Sequence, residues 1–140
     1  LIVTGAGTNT YKPSADFTGT IEVQSVADAD VKVTIAADTS LSTTTGAGDD
    51  LTIDGGTAYD VTLTASTATE DLVVSGLDNN ITAASLLGNI TVTSAGDLTK
   101  LDAAAALGNV TITSGDDTID VDVSAAAGTV TINSAGAKLI

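Results

Sequence analysis

The feature that most constrains the fold of this chain is a repeat of 20 residues in its C-terminal half. Three segments share one pattern, in which a glycine and a polar residue are followed by alternating apolar and polar residues: 88–94, 108–114 and 128–134. Alternation with a period of two is typical of a strand with one buried face. A strand that recurs at a fixed step predicts a stack of similar coils.

Apolar strand starts continue along the whole chain at a mean step of about 10 residues, so we expect two short strands and two turns in each coil. The sequence therefore predicts an all-β, parallel β-solenoid with about 20 residues per coil. Such a register places equivalent apolar residues in inward ladders, with Ile90, Val110 and Val130 on one wall and Ile81, Leu101 and Val121 on the other.

An immunoglobulin-like β-sandwich is the alternative fold, because strands at this spacing with turns between them fit it almost as well. The literal repeat favours the solenoid, and so does the scarcity of aromatic residues, which are Tyr11, Phe17 and Tyr59 alone. A narrow core can instead be filled by short aliphatic side chains. We interpret the four alanines at 103–106 as small inward residues on one of the strands.

The charge and composition exclude several classes of function. The net charge of −14 comes from 18 acidic residues against four lysines, which argues against nucleic acid and anionic membranes as partners. The chain contains no Cys or His, so Ser-His-Asp and Cys-His sites are excluded. Paired carboxylates could hydrolyse glycosides, but the aromatic platforms and Arg residues common in sugar sites are missing. We expect no enzymatic activity, and no apolar run approaches the roughly 20 residues of a membrane span.

Two turns combine glycine with adjacent acids. Calcium takes several oxygen ligands from carboxylates and turn carbonyls, and glycine lets a turn bring its carbonyls inward. The turns therefore indicate calcium as the one cofactor, although Gly and Asp also form turns that need no metal. The candidate ligating residues are Gly46, Gly48, Asp49, Asp50, Asp116 and Asp117.

The first of these turns, Gly-Ala-Gly-Asp-Asp-Leu at 46–51, resembles the glycine- and aspartate-rich repeats of RTX proteins, including their S-layer members. In that family the nonapeptide reads Gly-Gly-x-Gly-x-Asp-x-apolar-x, and the turns bind calcium between the coils of a β-roll. The leading glycine pair is missing here, and tandem copies at nine-residue spacing are absent. The resemblance implies one or two sites rather than an array.

Residues 88–107 also resemble the repeats of filamentous haemagglutinin-type adhesins, which build long β-helices. As a whole the chain is similar to bacterial S-layer and related surface proteins, being rich in Ala, Thr, Gly, Asp and Val, acidic and free of Cys. These resemblances imply a structural protein, exported to the cell surface or the extracellular space, that self-assembles into a layer or filament with stabilisation by calcium. An adhesin stalk is the first alternative function.

Outward threonine pairs suggest a second alternative, since flat Thr-x-Thr arrays resemble those of ice-binding β-solenoids. The pairs are Thr62 and Thr64, Thr91 and Thr93, and Thr111 and Thr113; Val73 and Ser75 interrupt the series, and its last rung is Thr131 with Asn133. Threonine is a favoured outward strand residue in any case.

For the domain organisation we expect one solenoid domain over residues 1–140, least regular at 1–20, that forms part of a longer chain. Parallel coils expose unpaired backbone edges at both ends of a stack, and such edges can pair with another chain. The apolar residues at 1–3 and 139–140 lie at these ends. We therefore predict self-association as the mode of assembly.

Overall fold

Short strands follow one another through this protein because β-branched and polar residues alternate along it. The computed structural model describes residues 2–5, 9–12, 14, 20–25, 30–43, 50–65, 70–83, 86–96, 98–103, 105–115, 118–124, 126–135 and 138–139, and these contain strands but no helix. The strands are β1 (Ile2–Gly5), β2 (Asn9–Tyr11), β3 (Thr20–Ser25), β4 (Val31–Thr34), β5 (Thr39–Thr43), β6 (Leu51–Asp54), β7 (Val61–Ala65), β8 (Leu72–Gly76), β9 (Asn79–Ala83), β10 (Ile90–Ser94), β11 (Leu98–Asp102), β12 (Val110–Ser114), β13 (Thr118–Asp122), β14 (Val130–Ser134) and β15 (Lys138–Leu139).

The strands form two sheets, one from the odd-numbered and one from the even-numbered strands. In the described part of the chain the odd sheet has eight strands, ordered β1 to β15, and the even sheet has seven, ordered β2 to β14. Each strand pairs in parallel with the strand two positions away in sequence, one coil later. The prediction of an all-β parallel β-solenoid with about 20 residues per turn is confirmed, and the β-sandwich, whose sheets would be antiparallel, is not the fold.

The inward ladders have the predicted register. Ile90 pairs with Val110 and Val110 with Val130 in the even sheet, while Leu101 pairs with Ile81 and Val121 in the odd sheet. A one-residue slip would turn every apolar side chain to the solvent, so the alternation fixes this register. The core consists of buried aliphatic side chains from both sheets, and Ile90, Val110 and Leu101 are fully buried. Val121 is only partly buried and Val130 is 38% exposed.

The step between coils departs from 20 residues in the middle of the chain. Thr39 pairs with Val61 and Val61 with Asn79, so a step of 22 residues is followed by one of 18. The cause is the length of the connections: the turn over residues 55–60 is longer than the turns over 35–38 and 77–78 on either side of it. The longer turn contains Gly56, whose φ of 63° is the left-handed conformation that glycine adopts at little cost.

The alanine run does not extend the strand before it. β11 ends at Asp102, and the Ala106 N–H donates to the Ala103 carbonyl at 3.2 Å, so the chain turns after β11; Ala104 lies outside the described residues. Ala103 and Ala106 are fully buried but Ala105 is exposed, so the interpretation of small inward residues holds for two of the three described alanines. The strand assignment was wrong for these three alanines, because a run of identical residues has no apolar-polar alternation from which a strand could be recognised. The predictions of a single domain, of an irregular segment at 1–20 and of a longer parent chain stay predictions.

Candidate functional site

Asp50 is the one predicted calcium ligand that lies among the described residues. Gly46, Gly48, Asp49, Asp116 and Asp117 lie outside them. Asp50 directly precedes β6 and is half-buried; its Oδ1 accepts a hydrogen bond from the backbone N–H of Asp71 at 3.1 Å, and its carbonyl accepts one from Val31 at 2.9 Å. The structure therefore shows Asp50 linking neighbouring coils through hydrogen bonds.

The contact between Asp50 and Asp71 is the first step of a ladder along one corner of the solenoid. Each member directly precedes an even-numbered strand, and the side-chain oxygen of each member except the last accepts the backbone N–H of the next. The distances are 2.6 Å from Asn89 N to Asp71 Oδ1, 3.0 Å from Asn109 N to Asn89 Oδ1 and 2.9 Å from Thr129 N to Asn109 Oδ1. We call these five residues, Asp50, Asp71, Asn89, Asn109 and Thr129, the corner ladder.

Close backbone approach beside the corner ladder explains the glycine in each repeat. Gly88, Gly108 and Gly128 directly precede ladder residues. A Cβ atom at Gly108 would overlap the carbonyl group of Gly88, and one at Gly128 would overlap the carbonyl group of Gly108. The Gly-Asn pair of the repeat is therefore a packing requirement combined with a hydrogen bond, and neither depends on a ligand.

A second column of acids lies before the odd-numbered strands. Asp38, Asp60 and Asp78 directly precede β5, β7 and β9. The backbone N–H of Asp60 donates to Asp38 Oδ1 at 3.0 Å, and that of Asp78 donates to Asp60 Oδ1 at 3.3 Å. These backbone donors offset part of the repulsion between carboxylates on successive coils. Sequence reasoning missed both columns, although an Asp or Asn directly before successive strands was a signal that could have found them.

We expect Asn109→Ala to lower the free energy of unfolding by about 1 kcal/mol, because the Thr129 N–H loses its acceptor. Asn109→Asp keeps an oxygen at the same position, as Asp71 does for Asn89, and is the matched control. Urea denaturation of the two variants measures the difference, and amide hydrogen exchange at Thr129 localises it. Equal destabilisation by both substitutions would show that the side-chain oxygen is not what matters.

Asp54 links three strands of the even sheet on its outer surface. Its Oδ2 lies 3.3 Å from Lys32 Nζ of β4, and its Oδ1 accepts hydrogen bonds from Gly56 N at 3.1 Å and from Ser75 Oγ of β8 at 3.2 Å. Burial raises the pKa of the Asp54 carboxyl, but the hydrogen bonds from Lys32, Gly56 and Ser75 and the charge of Lys32 outweigh it. The net result is a pKa below its ordinary value.

This depressed pKa predicts a pH-dependent contribution to stability. The contribution is fully present above the unfolded-state pKa of about 3.9 and is lost as the pH falls through the lower folded-state pKa. Asp54→Asn should therefore destabilise the protein at pH 6, by less than about 1 kcal/mol because the side chain is largely solvated, and should destabilise it less at pH 2. Urea denaturation at both pH values measures the difference, and a double-mutant cycle with Lys32→Gln is the control. A coupling that is as large at pH 2 as at pH 6 contradicts this explanation.

The outer faces of the two sheets carry the threonine pairs. Thr91 pairs with Thr111 and Thr93 with Thr113 in the even sheet, and the columns continue to Thr131 and Asn133 of β14. Val73 and Ser75 of β8 precede them, as the sequence indicated.

The prediction that all the threonine pairs form a single series was wrong for the first pair. Thr62 and Thr64 belong to β7 and lie on the odd sheet, the opposite face of the solenoid. The sequence did not show this because strands of the two sheets alternate along the chain with the same Thr-x-Thr pattern. Among the described residues the longest threonine column is therefore Thr91, Thr111 and Thr131 of β10, β12 and β14, while the odd sheet has the shorter column Thr64 and Thr82.

Among the described residues there is no pocket, and no group of three or more acidic side chains there could hold a metal. The same part of the chain has no helix long and apolar enough to cross a membrane. Comparison with protein-family models, curated proteins and solved structures gives no match to this chain. The candidate functional features are therefore the corner columns and the two outer faces.

Proposed function

We propose that this protein is a structural unit of an exported bacterial surface layer or filament and that it works by self-association. The observation that carries the proposal is the parallel pairing of successive described strands, from β1 to β15 in one sheet, with a register shift at β11, and from β2 to β14 in the other. At about 4.8 Å per strand, the eight strands of the odd sheet extend over about 34 Å. A regular rod of this kind is suited to repeated lateral or axial contacts.

The surface chemistry supports an extracellular scaffold. Outward positions carry mostly Thr, Ser, Asn and Asp, and the chain has a net charge of −14. The resemblance of residues 46–51 to RTX repeats adds calcium to the proposal, with ligands from Gly46, Gly48, Asp49 and Asp50 at one turn and from Asp116 and Asp117 at another. Calcium would also reduce the repulsion between acidic coils and between acidic copies.

Light scattering and circular dichroism melting, with calcium and with excess chelator, test the proposal. Magnesium at the same concentration is the control, because it screens a charge of −14 equally but fits flexible turn sites poorly. We expect calcium to raise the melting temperature and the scattering more than magnesium does. Asp49→Asn combined with Asp50→Asn should remove part of that difference, while the amide that replaces the Asp50 carboxylate still offers an oxygen to the Asp71 N–H.

The two parts of the proposal fail separately. If calcium and magnesium act alike, the acidic turns are ordinary turns, and assembly depends on the solenoid alone. If the protein stays monomeric at high concentration under all conditions, self-assembly is rejected. An adhesin stalk, which needs a rod but no lattice, then becomes the better explanation.

The threonine columns favour ice binding as a second candidate function. Thr91, Thr111 and Thr131 form one column of the even sheet, and Thr93 and Thr113 form another. Thermal hysteresis of the freezing point measures this activity directly. Its absence at millimolar protein concentration would exclude it.

A further inference from the structure

We propose that the outer face of the even sheet over β8, β10, β12 and β14 is the surface through which two copies of this chain associate. The inference rests on the proposed self-assembly and names the surface that carries it. We call this surface the threonine face; its outward residues are Val73, Ser75, Thr91, Thr93, Thr111, Thr113, Thr131 and Asn133.

The charge distribution favours this surface. None of its eight outward residues is charged, although the chain as a whole carries −14. On the odd sheet the outward positions of β11 and β13 include Lys100, Asp102 and Asp122, and the uncharged outward stretch there covers three described strands, β5, β7 and β9, against four in the threonine face. Two acidic rods repel one another wherever carboxylates meet, so close approach of two copies is least unfavourable across the threonine face.

The geometry makes the threonine face complementary to itself. Parallel strands in register place identical side chains in columns, and sheets of this kind pair through dry interfaces in which the columns of one interdigitate with those of the other. Two copies have the same coil spacing, so their columns match along the whole face in a two-fold arrangement. Val73, which is 40% exposed, adds an apolar contact to an otherwise hydroxyl-rich surface.

The size of the face sets the strength of the contact. Four strands at about 4.8 Å by five residues at about 3.4 Å give roughly 300 Å² per copy. A stable interface buries about 800 Å² per partner, so a single pair of these faces associates weakly and reversibly. The contact becomes effective when many copies repeat it, as in a layer or filament.

The test compares Thr113→Glu with Thr64→Glu by sedimentation equilibrium at protein concentrations up to the millimolar range. Both residues are exposed strand threonines, but Thr64 lies on the odd sheet, so the pair is matched in residue type and in added charge. We expect Thr113→Glu to weaken association at least about tenfold, because unpaired carboxylates would be buried between the copies. Thr64→Glu should change it less than about twofold, since an exposed charge costs little.

A mixture of Thr113→Glu with Thr113→Lys supplies the second measurement. If the face pairs with itself, the mixture should associate more strongly than either variant alone, and circular dichroism melting confirms that both are folded. If both Thr113 variants associate as strongly as the wild type, the threonine face is not the interface, although self-assembly still stands. If the wild-type chain never associates, both proposals are rejected. If the wild type shows thermal hysteresis that Thr113→Glu removes and Thr64→Glu does not, the threonine face binds ice instead.

Discussion

Replacing Leu63 with alanine lowers the free energy of unfolding by about 3 kcal/mol. Leu63 lies in β7 and is 1% exposed, and its partners in the neighbouring strands, Leu41 and Ile81, are also buried. The substitution removes apolar contacts and leaves a cavity that rigid neighbouring coils cannot fill. Urea denaturation, fitted with one shared m-value for all variants, measures the loss in the free energy of unfolding.

Thr64→Ala is the matched control for this experiment. Thr64 is the next residue of β7 and points to the solvent, so its replacement changes strand propensity without opening the core. We expect a loss below about 1 kcal/mol for it. Similar losses for Leu63→Ala and Thr64→Ala would contradict the assignment of the inward face.

Gly108→Ala should destabilise the protein by about 3 kcal/mol, the upper part of the range for overpacked sites. The added Cβ would overlap the carbonyl group of Gly88, which is backbone and cannot rotate away. The coils must then separate locally, which strains the hydrogen bond from Gly108 N to Gly88 O at 3.1 Å and the neighbouring step of the corner ladder at Asn109. The melting temperature and the urea midpoint both report the effect.

Gly56→Ala distinguishes steric overlap from backbone conformation. Gly56 has a φ of 63°, but apart from its own residue and its two chain neighbours no heavy atom lies within 4 Å of the position its Cβ would take. Its replacement should cost about 1–2 kcal/mol for the left-handed conformation alone. If Gly108→Ala costs no more than Gly56→Ala, the close approach of successive coils is not what requires glycine in the repeat.

Part of the candidate site could be predicted and part could not. The outward direction of Thr91, Thr93, Thr111 and Thr113 followed from alternation alone. The corner ladder did not, because its bonds join residues 18 to 21 positions apart and exist only once coils stack. Asp54 illustrates the same limit: its partners Lys32 and Ser75 lie one coil before it and one coil after it.

The parallel stack and the register of its core follow from the amino-acid pattern without structural information. Alternation requires one face of each strand to be inward, and the literal repeat from Gly88 to Gly128 aligns Ile90 with Val110. Only the tertiary structure shows which sheet each threonine pair occupies. It also shows that the turn at Gly56 lengthens the step between paired strands to 22 residues, and which acidic side chains accept hydrogen bonds from the next coil. The reason is physical: burial depends on local periodicity, whereas contacts between coils depend on the lengths of all the turns in between.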